Sequence, residues 1–295
     1  MRVAGPACRG VRPAGYDGHP RQRKAGPLST AGQQLSTAEY LQKIGVGHIE
    51  PRVCPFDPGY DPATLESHLE QSAHLMSALK ISLAGWMIAD ETATRKKLAA
   101  ARARGVATVT GGGPFEVAVA QDQLDAYLDL CAGIGLDRIE CGEGFTEHRL
   151  DPSAVVAMAR ERGLEVEFEM GKKHGGPFTA DSLAESIEQG RQWLDAGAVM
   201  LVVEARESAR GVGLFDEAGV FEPAFADEFA AAFGLERLKF EAPTKESQFT
   251  FLEHFGRDVH LSNVRLEEIL RVEIYRRGLH SDAFAKGKLR PRRAR

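Results

Sequence analysis

Past residue 44 the chain alternates between short β-prone apolar runs and longer stretches with amphipathic spacing. The runs predict strands at Ile49–Phe56, Leu79–Leu83, Val106–Thr110, Asp137–Cys141, Glu165–Met170, Met200–Glu204, Leu238–Glu241 and Val259–Leu261. Between them the helical period predicts Pro62–Ala78, Glu91–Arg104, Phe115–Ala132, Pro152–Arg162, Asp181–Ala196, Ala224–Phe233 and Lys245–Phe255, and Arg265–Arg277 follows the last strand. Helix boundaries carry their own marks. Asp151 stands before Pro152 as an N-cap before an N1 proline. Thr179 or Asp181 can cap the next helix, with Glu185 in its early turns. Gly105, Gly163 and Gly197 sit where helices should stop.

Strands that each lead into a helix suit a (β/α)8 TIM barrel in one domain. The structural competitor is a doubly wound open sheet, which expects a Gly-rich turn after an early strand. Gly45-Val46-Gly47 precedes the first strand instead, which favours the barrel. The domain reading is a basic leader at 1–35 without apolar periodicity, taken as disordered, a barrel over 36–286, and a basic, solvated tail at 287–295. A transit peptide is the lesser reading of the Arg-containing leader, which lacks the apolar core of a secretory signal.

Composition narrows the function classes. No run of about 18 apolar residues occurs, so no membrane-spanning helix is expected. The four cysteines (8, 54, 131 and 141) include no C-x-x-C pair, which argues against a zinc ribbon or a disulfide scaffold and for a reducing compartment, the cytoplasm. The net charge of -5 hides two basic ends around a strongly acidic body. Such a body is a poor partner for nucleic acid. Any anion site has to be built locally, and the number of subunits stays open.

Four successive strands end in a carboxylate, at Glu140, Glu169, Glu204 and Glu241. In a barrel these ends converge on one mouth. Acids crowded there repel and raise one another's pKa unless a metal or nearby Lys and Arg relieve them. For each acid alone, a strand-end salt bridge is the simpler reading; four in a row point to function. Lys172 and Lys173 follow Glu169, Arg206 lies two residues past Glu204 and so shares its face if the chain stays extended, and Lys239 shares a face with Glu241. An oxygen-rich, half-wet mouth suits Mg²⁺. Two Gly-rich segments, Gly111-Gly112-Gly113 and Ser208–Phe215, let backbone N–H groups approach an anion. With Lys172, Arg206 and Arg210 near them, a phosphate or carboxylate ligand follows, although each segment also reads as a tight turn. His174 in the basic loop can close over a ligand or simply face solvent. Cys54 and Cys141 read as inert core thiols.

These residues resemble the phosphosulfolactate synthase family over roughly Leu79 to Lys286. The resemblance rests on Glu169-Met170-Gly171-Lys172-Lys173, on Val203 through Asp216 with its Glu204-Ala205-Arg206-Glu207-Ser208-Ala209-Arg210-Gly211-Val212-Gly213-Leu214-Phe215 string, on Phe240–Lys245, on Leu261-Ser262-Asn263, and on Arg276–Lys286. It implies a (β/α)8 barrel and a Mg²⁺-dependent addition of sulfite to phosphoenolpyruvate, giving (2R)-3-phosphosulfolactate for sulfonate or coenzyme M-type biosynthesis. It implies Lys172, Arg206 and Glu207 as catalytic residues, with Lys172 as carboxylate clamp or proton donor. Lys80, Gly112, Lys173, Ser208, Arg210, Gly211, Gly213 and Asn263 would hold substrate. Glu140, Glu169, Glu204 and Glu241 would supply the Mg²⁺ ligands, two or three of them at once.

The departures lie in the first half. The family's L-D-K-G-x-P at the end of strand one reads Val53-Cys54-Pro55-Phe56-Asp57-Pro58-Gly59 here, and its K-F-G-W-G-T-S after strand two reads Lys80-Ile81-Ser82-Leu83-Ala84-Gly85-Trp86. Its E-I-S-D-G-S reads Glu140-Cys141-Gly142-Glu143-Gly144-Phe145. One wall of the pocket is rebuilt. Two further readings therefore stand beside the first: a synthase that adds another nucleophile to a phosphorylated or carboxylated three-carbon acid, and a non-catalytic protein similar to heat-stress-associated plant relatives.

Overall fold

The computed structural model describes residues 35–81, 83–146 and 150–291. Eight parallel strands close into a barrel in chain order: β1 Val53–Asp57, β2 Leu79–Ile81, β3 Thr108–Thr110, β4 Arg138–Gly142, β5 Glu165–Met170, β6 Met200–Val203, β7 Leu238–Glu241 and β8 His260–Arg265. Closure joins β1 to β8 and settles the choice against an open sheet. The leader reading falls outside the described residues apart from Leu35.

Alternation within the strands produces two different interiors. In β5, Phe168 faces outward and stacks on Trp193 of helix Ala180–Ala196 at 4.5 Å between ring centres. In β7, Phe240 stacks on Phe251 and Phe255 of helix Lys245–Phe255 at 4.7 and 5.1 Å. The intervening Glu167, Glu169, Lys239 and Glu241 then take the inward face. The apolar core therefore lies between strands and helices, while much of the barrel axis is filled by charged side chains. Close helix docking needs Gly190, where a Cβ would stand 2.6 Å from Phe233 and 2.8 Å from the Met170 sulfur.

The caps form as the residue types require. Asp151 accepts from Ser153 and Ala154 at 2.9 and 3.4 Å. Thr179, rather than Asp181, closes a capping box with Ser182. Gly105, Gly163 and Gly197 take φ of 69°, 75° and 111° past their helices.

Several boundaries differ from the sequence reading. The single helix expected over Phe115–Ala132 is two, Gly112–Ala120 and Leu124–Ile134, broken where Asp122 takes φ 54°. Aspartate accepts that left-handed conformation more readily than most residues. The expected Pro62–Ala78 helix stops at Ser72, and a 3-10 turn covers Ala73–Leu75. β8 runs on to Arg265, so the last expected helix starts at Ile269 instead. Short helices at Thr37–Lys43, Gly85–Ile88 and Ser281–Lys286 carry too few turns to show a period. The tail is not loose as far as Pro291: Leu289 is buried, and Arg290 lies over the Phe284 ring at 4.2 Å. Among the described residues, no helix is long and apolar enough to cross a membrane.

At the N-terminal end of the barrel, His260 on β8 is buried against Arg52, whose guanidinium hydrogen-bonds its Nε2. Burial, then Arg52, Lys239 and Arg276, hold its pKa down at about 3. The unfolded chain takes up this proton below about 6.5 and the folded chain does not. Stability should therefore fall as pH drops from about 6.5 toward 3, by roughly 1.4 kcal/mol per unit, and be flat above 7 as far as His260 is concerned. Thermal melting of the wild type and of His260→Asn across pH 4–7 checks this: the variant should show the shallower slope.

Candidate active site

Two ionic layers cross the barrel. In the lower one, Glu167 is held by Lys239 at 2.7 Å to each oxygen and by Arg138 at 3.2 Å. Burial opposes its ionisation, but Lys239 overcomes this and keeps its pKa below the usual value. In the upper layer, Lys80 from β2 pairs with Glu140 of β4 at 2.8 Å and reaches Glu241 of β7 at 3.5 Å. Above it, at the C-terminal mouth, Glu169, Glu204 and Glu241 bring carboxylate oxygens within 4.8 Å of one another.

The turns after the strands hold these acids in place. The chain leaves β6 at Val203 and bends at Arg206, which takes φ 56°. That bend aims the Arg206 N–H at Glu204 Oε1 (2.5 Å) and Glu241 Oε2 (3.1 Å), while Ala205 N–H donates to the same Glu241 oxygen at 2.9 Å. Asn263, with φ 52°, donates its side-chain amide to Glu241 Oε1. Gly213 takes φ 59°, and a side chain there would collide with the Glu204 backbone carbonyl. Only a glycine lets the 208–216 loop close down on the acids.

One ammonium sits in this group. Lys173 Nζ donates to Glu169 at 2.6 Å and to Glu204 at 2.7 Å. Burial alone would raise the Glu204 carboxyl, yet Lys173 holds its pKa at about 2. Glu169 and Glu241 are pushed well above the ordinary range, first by burial and then by the Glu204 charge. The carboxylates here and in the layer below outnumber the lysines that face them, so negative charge is left over when all ionise. The ligand atoms that Glu169, Glu204 and Glu241 themselves offer are all carboxylate oxygens, with no thiolate or imidazole among them, and this fits a hard divalent ion such as Mg²⁺.

The structure sorts the residues singled out from the sequence. Glu169, Glu204 and Glu241 come together as a group; Glu140 stands beside them, joined to Lys80 and to the Gly112 N–H at 3.0 Å. The Gly112 amide, expected to meet an anionic ligand, is thus already engaged by Glu140. Lys172, expected as the clamp, is exposed on the turn, and its neighbour Lys173 enters the site instead. Arg206 does not share the face of Glu204, because the chain is not extended there; its side chain is exposed while its backbone N–H serves the acids. Glu207, Ser208 and Arg210 are exposed along the rim, and the Arg210 stem covers Gly219. Gly211 turns the loop, donating to the Asp216 carbonyl at 2.8 Å. Sequence reasoning missed Glu116, a fully buried acid on helix Gly112–Ala120 beside this mouth. Its signal was available: a lone carboxylate in the run Gly112-Gly113-Pro114-Phe115-Glu116-Val117-Ala118-Val119-Ala120.

Comparison with known proteins agrees with this arrangement of motifs. Residues 53–282 match the family model described as (2R)-phospho-3-sulfolactate synthase (ComA). The phosphosulfolactate synthase of Methanocaldococcus jannaschii is 29% identical over 231 residues, which span 78% of this chain and 92% of that protein. The phosphosulfolactate synthase of Bacillus subtilis is 30% identical over 176 residues, covering 59% of this chain and 69% of that one. In fold alone, the YdjI aldolase of Escherichia coli K12 is similar, with a TM-score of 0.51 at 12% identity over 86% of this chain and 96% of that one. Since the family match spans most of the chain, from the first barrel strand to the last short helix, the protein belongs to the (2R)-phospho-3-sulfolactate synthase family.

Proposed function

We propose that this protein adds sulfite to phosphoenolpyruvate in a Mg²⁺-dependent reaction, giving (2R)-phospho-3-sulfolactate, with the phosphate kept on the C2 oxygen and the new sulfonate on C3. The observation that carries this reading is the buried group of Glu169, Glu204 and Glu241 with the Lys173 ammonium, at the mouth of a barrel of this family. In the reaction the sulfite sulfur lone pair forms a bond to the terminal methylene carbon. The double-bond electrons move toward C2 and the carboxylate, and C2 then takes a proton. Before C2 is protonated the carboxylate end of the substrate carries extra negative charge, so fixed positive groups aimed there do most of the catalysis.

Glu169, Glu204 and Glu241 would hold the Mg²⁺, which when bound supplies Lewis-acid stabilisation of anionic oxygen. Lys173 is the ammonium placed to hold the substrate carboxylate or to give C2 its proton. The exposed side chains of Lys172, Arg206 and Arg210 provide a rim of positive charge for a phosphate. Glu207 and Ser208 stand on the same turn.

A second reading, another nucleophile on a similar acid, is favoured by the rebuilt wall. Leu83 after β2 and Phe145 after β4 expose apolar side chains on the mouth side. An apolar nucleophile would gain from such a wall, whereas sulfite would not. The test is a spectrophotometric assay. Phosphoenolpyruvate absorbance should fall only with enzyme, sulfite and Mg²⁺ together. No loss at high enzyme and sulfite, combined with a thermal shift by phosphoenolpyruvate or another phosphorylated three-carbon acid, would favour the second reading over the first.

A further inference from the structure

Glu116 is fully buried, and its two oxygens have different surroundings. Oε2 accepts from the backbone N–H groups of Phe145 and Thr146 at 2.9 and 3.1 Å, and from the Thr146 hydroxyl at 3.3 Å. Oε1 is sealed from solvent and has no hydrogen-bond partner among the described residues. A buried carboxylate oxygen left without a donor is costly enough that one in a native fold calls for a reason.

The surroundings of Oε1 point to one donor. A Cβ built on Gly144 would meet Oε1 at 3.3 Å, and would meet the Lys173 side chain at 3.0 Å (Cγ) and 3.3 Å (Cε). A Cβ on Gly142 would meet Oε1 at 3.3 Å and Glu169 Oε1 at 3.5 Å. The two glycines therefore leave open a narrow passage. The Lys173 stem and Glu169 border it on one side, and Glu116 Oε1 on the other. Lys173 is also tethered there through its own N–H, which donates to the Gly144 carbonyl at 2.9 Å. The loop that Glu116 Oε2 grips begins one residue later.

Lys173 Nζ presently occupies oxygens of Glu169 and Glu204, two of the three acids that would hold a divalent ion. An ammonium and a divalent cation repel strongly at such distances in a buried site. Seating the ion requires the ammonium to find another carboxylate, and the stem can swing about its own side-chain torsions without moving the tethered backbone.

We propose that Glu116 is this second acceptor: a positioning residue whose free Oε1 receives the Lys173 ammonium when a divalent cation enters the Glu169–Glu204–Glu241 group. This rests on the reading of that group as a Mg²⁺ site. No covalent bond changes; the ammonium keeps its protons and exchanges one carboxylate partner for another. Lys173 then stands next to the ion rather than in its place, within reach of a substrate held by both.

The experiment is calorimetric titration of the full-length protein with MgCl₂ alone, without substrate. Glu116→Gln keeps an oxygen for the Phe145 and Thr146 amides but removes the charge. The variant should melt close to the wild type and bind Mg²⁺ about tenfold more weakly or worse, the equivalent of ~1.4 kcal/mol. Glu116→Asp, which keeps the charge, should recover part of the affinity. Unchanged Mg²⁺ affinity in Glu116→Gln, with normal binding by the wild type, overturns the role of Glu116 and leaves the Mg²⁺ reading intact. A large drop in melting temperature in Glu116→Gln, with Glu116→Asp no better in affinity, shows a structural role only and also overturns it. Absence of Mg²⁺ binding by the wild type overturns both together.

Discussion

Under the proposed reaction, Lys173→Ala should lower kcat/KM for sulfite addition by about 10²- to 10³-fold, the size of effect seen when one preorganised donor is removed from an oxyanion site. Lys172→Ala, one residue away, should raise KM by less than about tenfold with kcat little changed, because an exposed charge is screened by water and salt. The contrast follows from where the two side chains go. Lys173 is held between Glu169 and Glu204 and keeps the latter ionised, whereas Lys172 remains at the rim. Removing Lys173 also leaves its two carboxylates facing each other without a cation, so Glu204 should drift back toward protonation. Steady-state kinetics on both variants, with melting curves to show that each is folded, separates the two lysines. Equal losses would mean that the ammonium inside the group has no special part in the reaction.

The second large effect is on stability. Lys239→Met should lower the melting temperature by about 10 °C, since removing one member of a buried ion pair costs roughly 3–5 kcal/mol and a domain of this size loses about 2–4 °C per kcal/mol. The Lys239 ammonium contacts both oxygens of Glu167 at 2.7 Å, and both side chains are sealed in the barrel. Without it, the direct ion-pair partner left to Glu167 among the described residues is Arg138, at 3.2 Å. The double variant Lys239→Met with Glu167→Leu should recover most of the loss, because a packed apolar pair replaces a buried ionic one at little net cost. Scanning calorimetry on the single and double variants gives the answer. A drop of only a degree or two in Lys239→Met would show that the lower ionic layer does not hold the barrel together.

Much of the architecture is written in strand alternation. β5 reads Glu-Val-Glu-Phe-Glu-Met and β7 reads Leu-Lys-Phe-Glu, so a period of two assigns one face to ions and the other to helices before any coordinates are known. That the strands end in acids and that these acids meet also followed, because a closed barrel gathers strand ends at one mouth. What the pattern does not carry is backbone direction after a strand stops. Whether Lys172 or Lys173 enters the site depends on the turn at Gly171, which takes φ 113°, and adjacent lysines look alike in a sequence. Arg206 leaves the face of Glu204 because its own φ is positive, an unusual choice for a residue with a long side chain.

Glu116 was obscured for another reason. It lies in a helix whose remaining residues are apolar or glycine and proline, so a period search treats it as the polar face. Its burial comes from residues 145 and 146, nearly thirty positions later, and local pattern does not record such a partner. The break at Asp122 is similar: one residue in a left-handed conformation divides what amphipathic spacing reads as a single helix.

The central claim is that Glu169, Glu204 and Glu241 form an ion site at which a phosphorylated three-carbon acid is held. The most direct measurement is a crystal structure of the protein soaked with Mg²⁺ and phosphoenolpyruvate. The account expects one ion bound by oxygens of those three residues, the substrate carboxylate beside it, and Lys173 adjacent to both. An ion bound elsewhere, or phosphoenolpyruvate resting outside the mouth with the Lys173 ammonium still between Glu169 and Glu204, would contradict it.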